Sequence, residues 1–192
     1  MRHICEASAV DTARLRLRPM TIDDAPGVHA LWTEPAMLRR VWEADEVDFA
    51  QTLAVVERSI EFFDSRRAGL WCAFLREEDL LIGFGGFWFV DEIVEPALVY
   101  GISSLHGHRG LAPEMLRALL RHAFADLGFA RVVTNPDART LPTVQKLGFV
   151  PDRTAVVAGA PVELHGLDVS LLRDEGAPYR LVTAPQPVVT ED

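Results

Sequence analysis

The chain has 192 residues, the usual size of one compact domain, and 49% of them are hydrophobic while 24% are charged, which is a globular composition. Its 28 acidic and 19 basic residues give a formal net charge of -9, which repels phosphate backbones and argues against nucleic acid as a partner. Two cysteines offer neither a disulfide framework nor a metal-ligand spacing. The longest apolar run, residues 80–90, is too short to span a bilayer. We therefore expect a cytoplasmic protein without a metal site or a membrane partner.

The first 70 residues or so are predicted to form one strand and two helices. Basic and apolar side chains alternate over residues 14–18, the period of a half-buried strand, and Pro19 ends it. Thr21 and Asp24 have the order of a capping box and predict a short helix after them. Apolar residues recur every three or four positions over residues 48–66, which predicts a second helix with its apolar stripe facing the core.

The middle of the chain is predicted to be strands. Residues 71–75 and 80–90 are apolar and aromatic and are separated by a charged turn, which is typical of a hairpin of buried strands. Cys72 lies in the first of them, and we interpret it as a small core residue because no activating group is near it in sequence. Another strand is predicted over residues 97–103.

The remainder alternates helices and strands, so the expected fold class is α+β. The predicted elements are a long helix ending at Gly128, a strand over residues 131–134, a short helix over 140–147, and a last antiparallel pair over 154–157 and 164–171. Beyond Arg173 the chain is rich in proline and acidic residues and has no periodicity. We expect a single domain over residues 1–192, with a core over about 12–173 and a mobile tail over 174–192.

A glycine-rich turn lies between the predicted strand 97–103 and the long helix, where backbone amides lack partners and the helix dipole is positive. Gly107 and Gly110 would let the backbone approach a pyrophosphate, Arg109 adds positive charge, and Pro113 suits a first helical turn. Such turns occur at least as often without a ligand. The segment lacks the Lys-Ser/Thr of a P-loop and the glycine spacing of a Rossmann turn, so an unrelated nucleotide-binding domain is the weakest interpretation.

This turn resembles a known cofactor loop. Residues 107–114, Gly-His-Arg-Gly-Leu-Ala-Pro-Glu, are similar to the pyrophosphate loop of the GNAT acetyltransferases, Gln/Arg-x-x-Gly-x-Gly/Ala. Gly110 and Ala112 fall on the last two fixed positions of that pattern. Gly107 stands where Gln or Arg is usual, which is a departure from it.

Three further segments resemble the family in its order. They are the opening Thr-Ala-Arg-Leu-Arg-Leu-Arg-Pro of residues 12–19, the strand that ends at Tyr100, and Asp-Ala-Arg-Thr of residues 137–140 leading to Lys-Leu-Gly-Phe of residues 146–149. Asp and Thr replace the family's Asn and Ser in the last segment. The opening and the ending are most similar to the branch that includes the ribosomal-protein N-terminal acetyltransferases. The resemblance spans roughly residues 12 to 172.

The resemblance implies a mixed, strongly twisted sheet flanked by helices, which splays open so that acetyl-CoA inserts its pantetheine arm like an extra strand. It implies direct transfer of the acetyl group to an amine in a ternary complex, without a metal. The loop residues that it implies for cofactor binding are Gly107, His108, Arg109, Gly110, Leu111 and Ala112.

The catalytic residues that the resemblance implies are Thr140, Glu95 and Tyr100. Tyr100 either lines the acetyl pocket or belongs to the core. In the family a Tyr that protonates the departing thiolate stands at the position of Val144, and Thr140 is its substitute here. A helix N-cap is an equally good interpretation of Thr140. The family base usually stands at the position of Ala97, so here the base is either absent or supplied by Glu95 or by a water chain.

These departures leave a second class of function open. The leading hypothesis is an enzyme that acetylates a primary amine on a small molecule or a protein N-terminus. The alternative is a catalytically weak acyl-CoA-binding sensor or regulatory module of the same fold. The acceptor is not encoded in a recognisable motif, because acceptor pockets are built from variable loops, and the sequence leaves both a monomer and a homodimer open.

Overall fold

A computed structural model of the protein describes residues 7–38, 45–173 and 180–183, with side chains for all of these except residues 7, 8 and 181–183. The strands of the described part are β1 Ala7–Asp11, β2 Leu15–Pro19, β3 Leu70–Leu75, β4 Leu80–Trp88, β5 Ala97–Ile102, β6 Arg131–Thr134, β7 Val150–Val157, β8 Ala160–Asp168 and β9 Arg180–Thr183. Its α-helices are α1 Ala25–Trp32, α2 Pro35–Met37, α3 Phe49–Arg66, α4 Leu111–Arg121 and α5 Leu141–Leu147.

The strands of this described part form one mixed sheet in the order β7-β8-β6-β5-β4-β3-β2-β1-β9. Neighbouring strands are antiparallel except β5 and β6, which are parallel. The predicted α+β fold with a mixed central sheet and flanking helices is confirmed.

Helices cover both faces of the sheet, and each face has its own apolar cluster. On one face α4 and α5 pack on Leu15, Leu17, Trp71 and Phe87. On the other face the cluster contains residues of α1 and α3 together with alternate residues of the same strands, among them Cys72. Burial raises the pKa of the Cys72 thiol, so it stays protonated, as expected of a core residue.

Local sequence signals explain where the helices begin. Thr21 and Asp24 form the predicted capping box ahead of α1. Asp48 caps α3, since its carboxylate accepts a hydrogen bond from the backbone amide of Gln51 while the Gln51 side chain accepts from the amide of Asp48. The predicted long helix is divided: α4 ends at Arg121, and residues 122–126 continue it as a π-helical turn.

The expectation of a mobile tail is wrong for residues 180–183. These residues form β9, which pairs antiparallel with β1 and places Arg180 opposite Asp11. The physical reason is that β1 would otherwise present unpaired backbone groups at the edge of the sheet, and β9 satisfies them. The remainder of the predicted tail, apart from these four residues, lies outside the described residues.

The sheet is weakest between β5 and β6, which share one registered pair, Ala97 with Val133, in the described structure. The Thr134 hydroxyl closes this contact by donating to the carbonyl of Leu98 at 2.9 Å. The strand β5 continues to Ile102, beyond the end of β6 at Thr134. The two strands therefore form a fork that opens along the second half of β5.

Candidate active site

The predicted cofactor loop lies at the start of α4. Gly110 occupies the N-cap position with a φ of 75°, in the left-handed region that glycine adopts without a steric penalty. None of the backbone amides of residues 108–112 donates a hydrogen bond to another described residue. Free amides at the positive end of a helix form an anion site, so the loop can bind a pyrophosphate through its backbone.

A carboxylate in the first turn of α4 anchors this loop. Glu114 accepts hydrogen bonds from the Thr12 hydroxyl at 2.6 Å, from the Arg14 backbone amide at 2.9 Å and from Arg14 Nε at 2.7 Å. Burial alone would raise the pKa of Glu114, but these bonds outweigh it and hold the pKa below its ordinary value. Glu114 is therefore ionised at neutral pH and ties the β1–β2 turn to the helix.

Arg14 extends this anchor to the loop itself. Its Nη1 donates to the carbonyl of Arg109 at 2.8 Å, and its Nη2 lies 2.6 Å from the Glu114 carboxylate. One guanidinium thus connects the loop to the helix that follows it. The sequence motif that contains Thr12 and Arg14 suggested the family, but nothing in the sequence indicated that it contacts the cofactor loop.

A second carboxylate holds the turn that precedes the loop. Glu34, between α1 and α2, accepts from the Ser103 hydroxyl at 2.7 Å and from the Ser104 backbone amide at 3.1 Å. His108 lies in the loop with a φ of 59°, and Arg109 contacts His106 at 3.3 Å. The loop is therefore anchored on both sides while its own amides face outward.

A cavity of about 430 Å³ lies in the fork between β5 and β6, within the range of small-molecule sites. Its polar end is lined by the last residue of β6, by residues that follow β6 and by one residue of β5: Thr134, Asn135, Asp137, Thr140 and Tyr100. The other walls come from the end of β4, the loop after it, β5 and the β7–β8 hairpin: Trp88, Val90, Ile93, Ala97, Leu98, Val99, Val157, Val162 and Leu164, with Pro136 beside them.

Two of the predicted catalytic residues, Thr140 and Tyr100, line this cavity. Thr140 stands at the N-cap position of α5, but its side chain caps no amide; its hydroxyl instead donates to Asp137 Oδ1 at 2.8 Å. The same Asp137 oxygen accepts from the backbone amides of Arg139 and Thr140. Tyr100 also packs against the core cluster under α4, so it belongs to both the cavity and the core.

The structure does not bring Glu95, the third of these residues, to the cavity. Its carboxylate is paired with Arg153, with Oε2 lying 2.7 Å from Nη2, and Arg131 lies 3.8 Å away. The hydrogen bond from Arg153 holds the pKa of Glu95 below its ordinary value. A carboxylate so paired is a weak base, so this geometry does not favour Glu95 as the group that deprotonates the amine.

The two departures from the family pattern have clear places in the fold. Ala97 lines the cavity wall on β5, so no carboxylate projects there. Val144 is fully buried in the core cluster under α4 and α5. Among the described residues no three His, Cys, Asp or Glu side chains converge on a metal site, and none of the described helices is long and apolar enough to cross a membrane.

A splayed mixed sheet with an anion-binding loop after the strand at the splay defines a class of fold that binds acyl-CoA. Residues 14–150 match the acetyltransferase (GNAT) domain family. The chain is 23% identical over 137 residues, 71% of its length and 77% of the relative's, to an uncharacterized N-acetyltransferase p20 from Bacillus licheniformis. The protein belongs to the GNAT acetyltransferase family.

Solved structures of similar fold agree with this assignment. A putative GNAT-family acetyltransferase from Bordetella pertussis superimposes with a TM-score of 0.70 at 23% identity, covering 82% of this chain and 98% of that one. RimL, a ribosomal-protein α-N-acetyltransferase in complex with coenzyme A, superimposes with a TM-score of 0.69 at 17% identity, covering 83% and 97%. At these identities the likeness shows the fold, and it includes the branch that the sequence resembles.

Proposed function

We propose that the protein transfers the acetyl group of acetyl-CoA to a primary amine by direct attack within a ternary complex. The observation that supports this most is the position of two features on one strand. The free amides of residues 108–112 follow the end of β5, and the cavity lies beside the same strand. A pyrophosphate on the loop would lead the pantetheine arm along the unpaired side of β5 to a thioester in the cavity.

The chemistry at the cavity is a nucleophilic substitution at the thioester carbon. The amine nitrogen forms a bond to that carbon, the carbon–sulfur bond breaks, and the electron pair leaves on the sulfur of coenzyme A. An acceptor that arrives as an ammonium ion gives one proton to solvent water before it attacks. The nitrogen loses a second proton after the attack, and this proton neutralises the departing thiolate. Positioning of the two reactants and stabilisation of the developing charges supply the catalysis.

Thr140 is the residue that we assign to the leaving group. Its hydroxyl donates to Asp137 in the ligand-free protein and can turn about its side-chain bond to donate to the thiolate. Asp137 keeps its hydrogen bonds from the amides of Arg139 and Thr140 when the hydroxyl turns, so the turn costs little. Tyr100 is assigned to the wall of the acetyl pocket. Glu95 has a positioning role, since it holds the loop before β5 against Arg153.

Release of free coenzyme A in the presence of amines tests this proposal. Thr140→Ala should lower kcat by roughly ten- to a hundredfold, the contribution of one catalytic hydrogen bond, and should leave acetyl-CoA affinity unchanged. Thr140→Ser retains the hydroxyl and serves as the matched control, with kcat close to that of the wild type. Equal kcat for the wild type and Thr140→Ala would contradict the role of Thr140.

The alternative function, an acyl-CoA sensor, is favoured by one observation: the carboxylate that should replace the family base is tied to Arg153. A sensor would bind acetyl-CoA and release no thiol above background with any amine. We also retain the cytoplasm as the expected location on the grounds of composition.

A further inference from the structure

We propose that the acceptor is a small primary amine carried on a single uncharged apolar group, aliphatic or aromatic. This inference rests on the proposed acetyl transfer. It follows from how polar and apolar residues are distributed around the cavity in the fork between β5 and β6.

The reactive end of the cavity is polar. Of the described residues that line the cavity, Asp137 is the one charged side chain, and it lies beside Thr140 at 2.8 Å. Asn135 lines the same end. An ammonium group entering the site meets its opposite charge here, close to the group that we assign to the departing thiolate, so the amine nitrogen of the acceptor belongs at this end.

The walls beyond this end are apolar and held rigidly. Trp88 stacks edge-on against Phe62, with ring centroids 5.0 Å apart. Ile93 and Leu164 are buried in a separate apolar cluster, against which Val157 and Val162 of the β7–β8 hairpin pack while half exposed. The exposed portions of these side chains face the cavity that they line, so a ligand that fills it removes apolar surface from water.

The hairpin that forms one wall is fastened to the loop that forms another. Arg153 of β7 pairs with Glu95, and the backbone amide of Ala158, at the hairpin turn, donates to Glu92 at 3.3 Å. These contacts pair Glu92 and Glu95 with groups of the hairpin, and neither they nor Asp91 of the same loop lines the cavity. Neither wall therefore offers a carboxylate to a second ammonium group.

This distribution discriminates between classes of acceptor. A polyamine or an aminoglycoside would place further ammonium groups against apolar walls, and a buried charge without a partner is costly. A peptide N-terminus would place backbone amides there. These amides also need hydrogen-bond partners, which the apolar side chains of the walls do not supply. An alkyl or arylalkyl amine meets neither penalty.

Two amines of equal length provide the direct test. Hexylamine and hexamethylenediamine differ by one terminal ammonium group. With acetyl-CoA as cosubstrate, kcat/KM should be at least about tenfold higher for hexylamine, a difference of about 1.4 kcal/mol. Phenethylamine should resemble hexylamine. Spermidine and peptides that begin with alanine or serine should react more slowly than either.

A variant of the wall tests the same inference from the side of the protein. Val162→Asp places a carboxylate in the apolar wall and should lower kcat/KM for hexylamine while raising it for hexamethylenediamine. Val156→Asp is the matched control, because Val156 lies on the same hairpin, is 60% exposed and does not line the cavity. Calorimetric binding of coenzyme A to both variants shows that each retains the fold.

The possible results separate the inference from the function on which it rests. Faster reaction of the diamine, spermidine or a peptide N-terminus than of hexylamine would overturn the apolar acceptor and leave acetyl transfer standing. Unchanged preference in Val162→Asp would overturn the assignment of the wall. If the protein binds acetyl-CoA but releases no thiol above background with every one of these amines, both proposals are overturned and the sensor is supported.

Discussion

Replacing Arg14 by alanine should weaken binding of coenzyme A although Arg14 need not touch the cofactor. The substitution removes the hydrogen bond from Nη1 to the carbonyl of Arg109 and two of the contacts to Glu114. The loop then loses the contact at the Arg109 carbonyl, although Thr12 and the residue 14 backbone amide still hold Glu114. More of the ordering of the loop amides must therefore occur when the ligand binds.

The magnitude follows from the exposure of the group. A hydrogen bond to a charged group is worth about 1.5–3 kcal/mol when buried, whereas exposed ion pairs contribute about 0–1 kcal/mol. The Arg14 side chain is 48% exposed and that of Glu114 is 15% exposed. We therefore expect a loss of about 1–2 kcal/mol, or roughly a 5- to 30-fold weaker affinity, measured by titration calorimetry with coenzyme A.

Arg16 provides a closely matched control. It lies two residues away on β2, is 50% exposed, and pairs with Asp11, which is 11% exposed, but it has no described contact with the loop. Arg16→Ala should leave the affinity unchanged. Equal affinities of Arg14→Ala and Arg16→Ala would refute the reasoning. Arg14→Lys distinguishes positioning from charge: it keeps the charge but not the geometry, so wild-type affinity in that variant would show that Arg14 acts by its charge alone.

Three further results are expected. Gly110→Val should weaken coenzyme A binding at least about tenfold. The control Gly128→Val, at a similar φ of 74° in open space, should lower the stability of the protein without lowering its affinity for coenzyme A. Equal affinities of these two variants in calorimetry would show that the loop does not bind the cofactor. Because the folded-state pKa of Glu95 is lowered, its ion pairs stabilise the protein fully above the ordinary pKa of a glutamate and lose this effect as pH falls through the lowered value. The difference in melting temperature between the wild type and Glu95→Gln should therefore vanish in acid, while the pH–rate profile stays unchanged; a shifted profile would restore Glu95 as a base. Truncation after Glu175 removes β9 and should lower the melting temperature by about 2–8 °C, for a loss of about 1–2 kcal/mol, relative to truncation after Thr183; equal temperatures would show that β9 contributes nothing.

The elements that sequence reasoning predicted well are those whose pattern is set within one segment. The strand over residues 131–134 and the helix after Asp48 have the bounds predicted for them, because burial on one face fixes the spacing of apolar residues locally. The strands β1 and β9 at one end of the sheet were not predicted. Both are short, and β9, the edge strand, pairs with β1, which lies some 170 residues away along the chain.

The same distinction holds for the site. The position of the glycine-rich loop at the start of a helix could be predicted because its glycine and the helix that follows are neighbours in sequence; its role in binding an anion stays a prediction. The cavity could not be predicted, because its walls come from three separate segments of the chain, residues 88–100, 134–140 and 157–164. The expected role of Glu95 depended on where the side chain points, and that is decided by Arg131 and Arg153 on distant strands, which no local pattern reports.

The single registered pair between β5 and β6 separates two parts of the sheet of unequal size. Six strands lie on the side of β5 and three on the side of β6, and in the described structure little hydrogen bonding crosses from one to the other. The buried apolar cluster under α4 joins the two parts, since it contains Val132 and Leu167 from one side of the fork and Phe87 and Leu98 from the other. The cosubstrate proposed above would hydrogen-bond along β5 and fill the fork, and it would therefore add backbone pairing to packing that is already present.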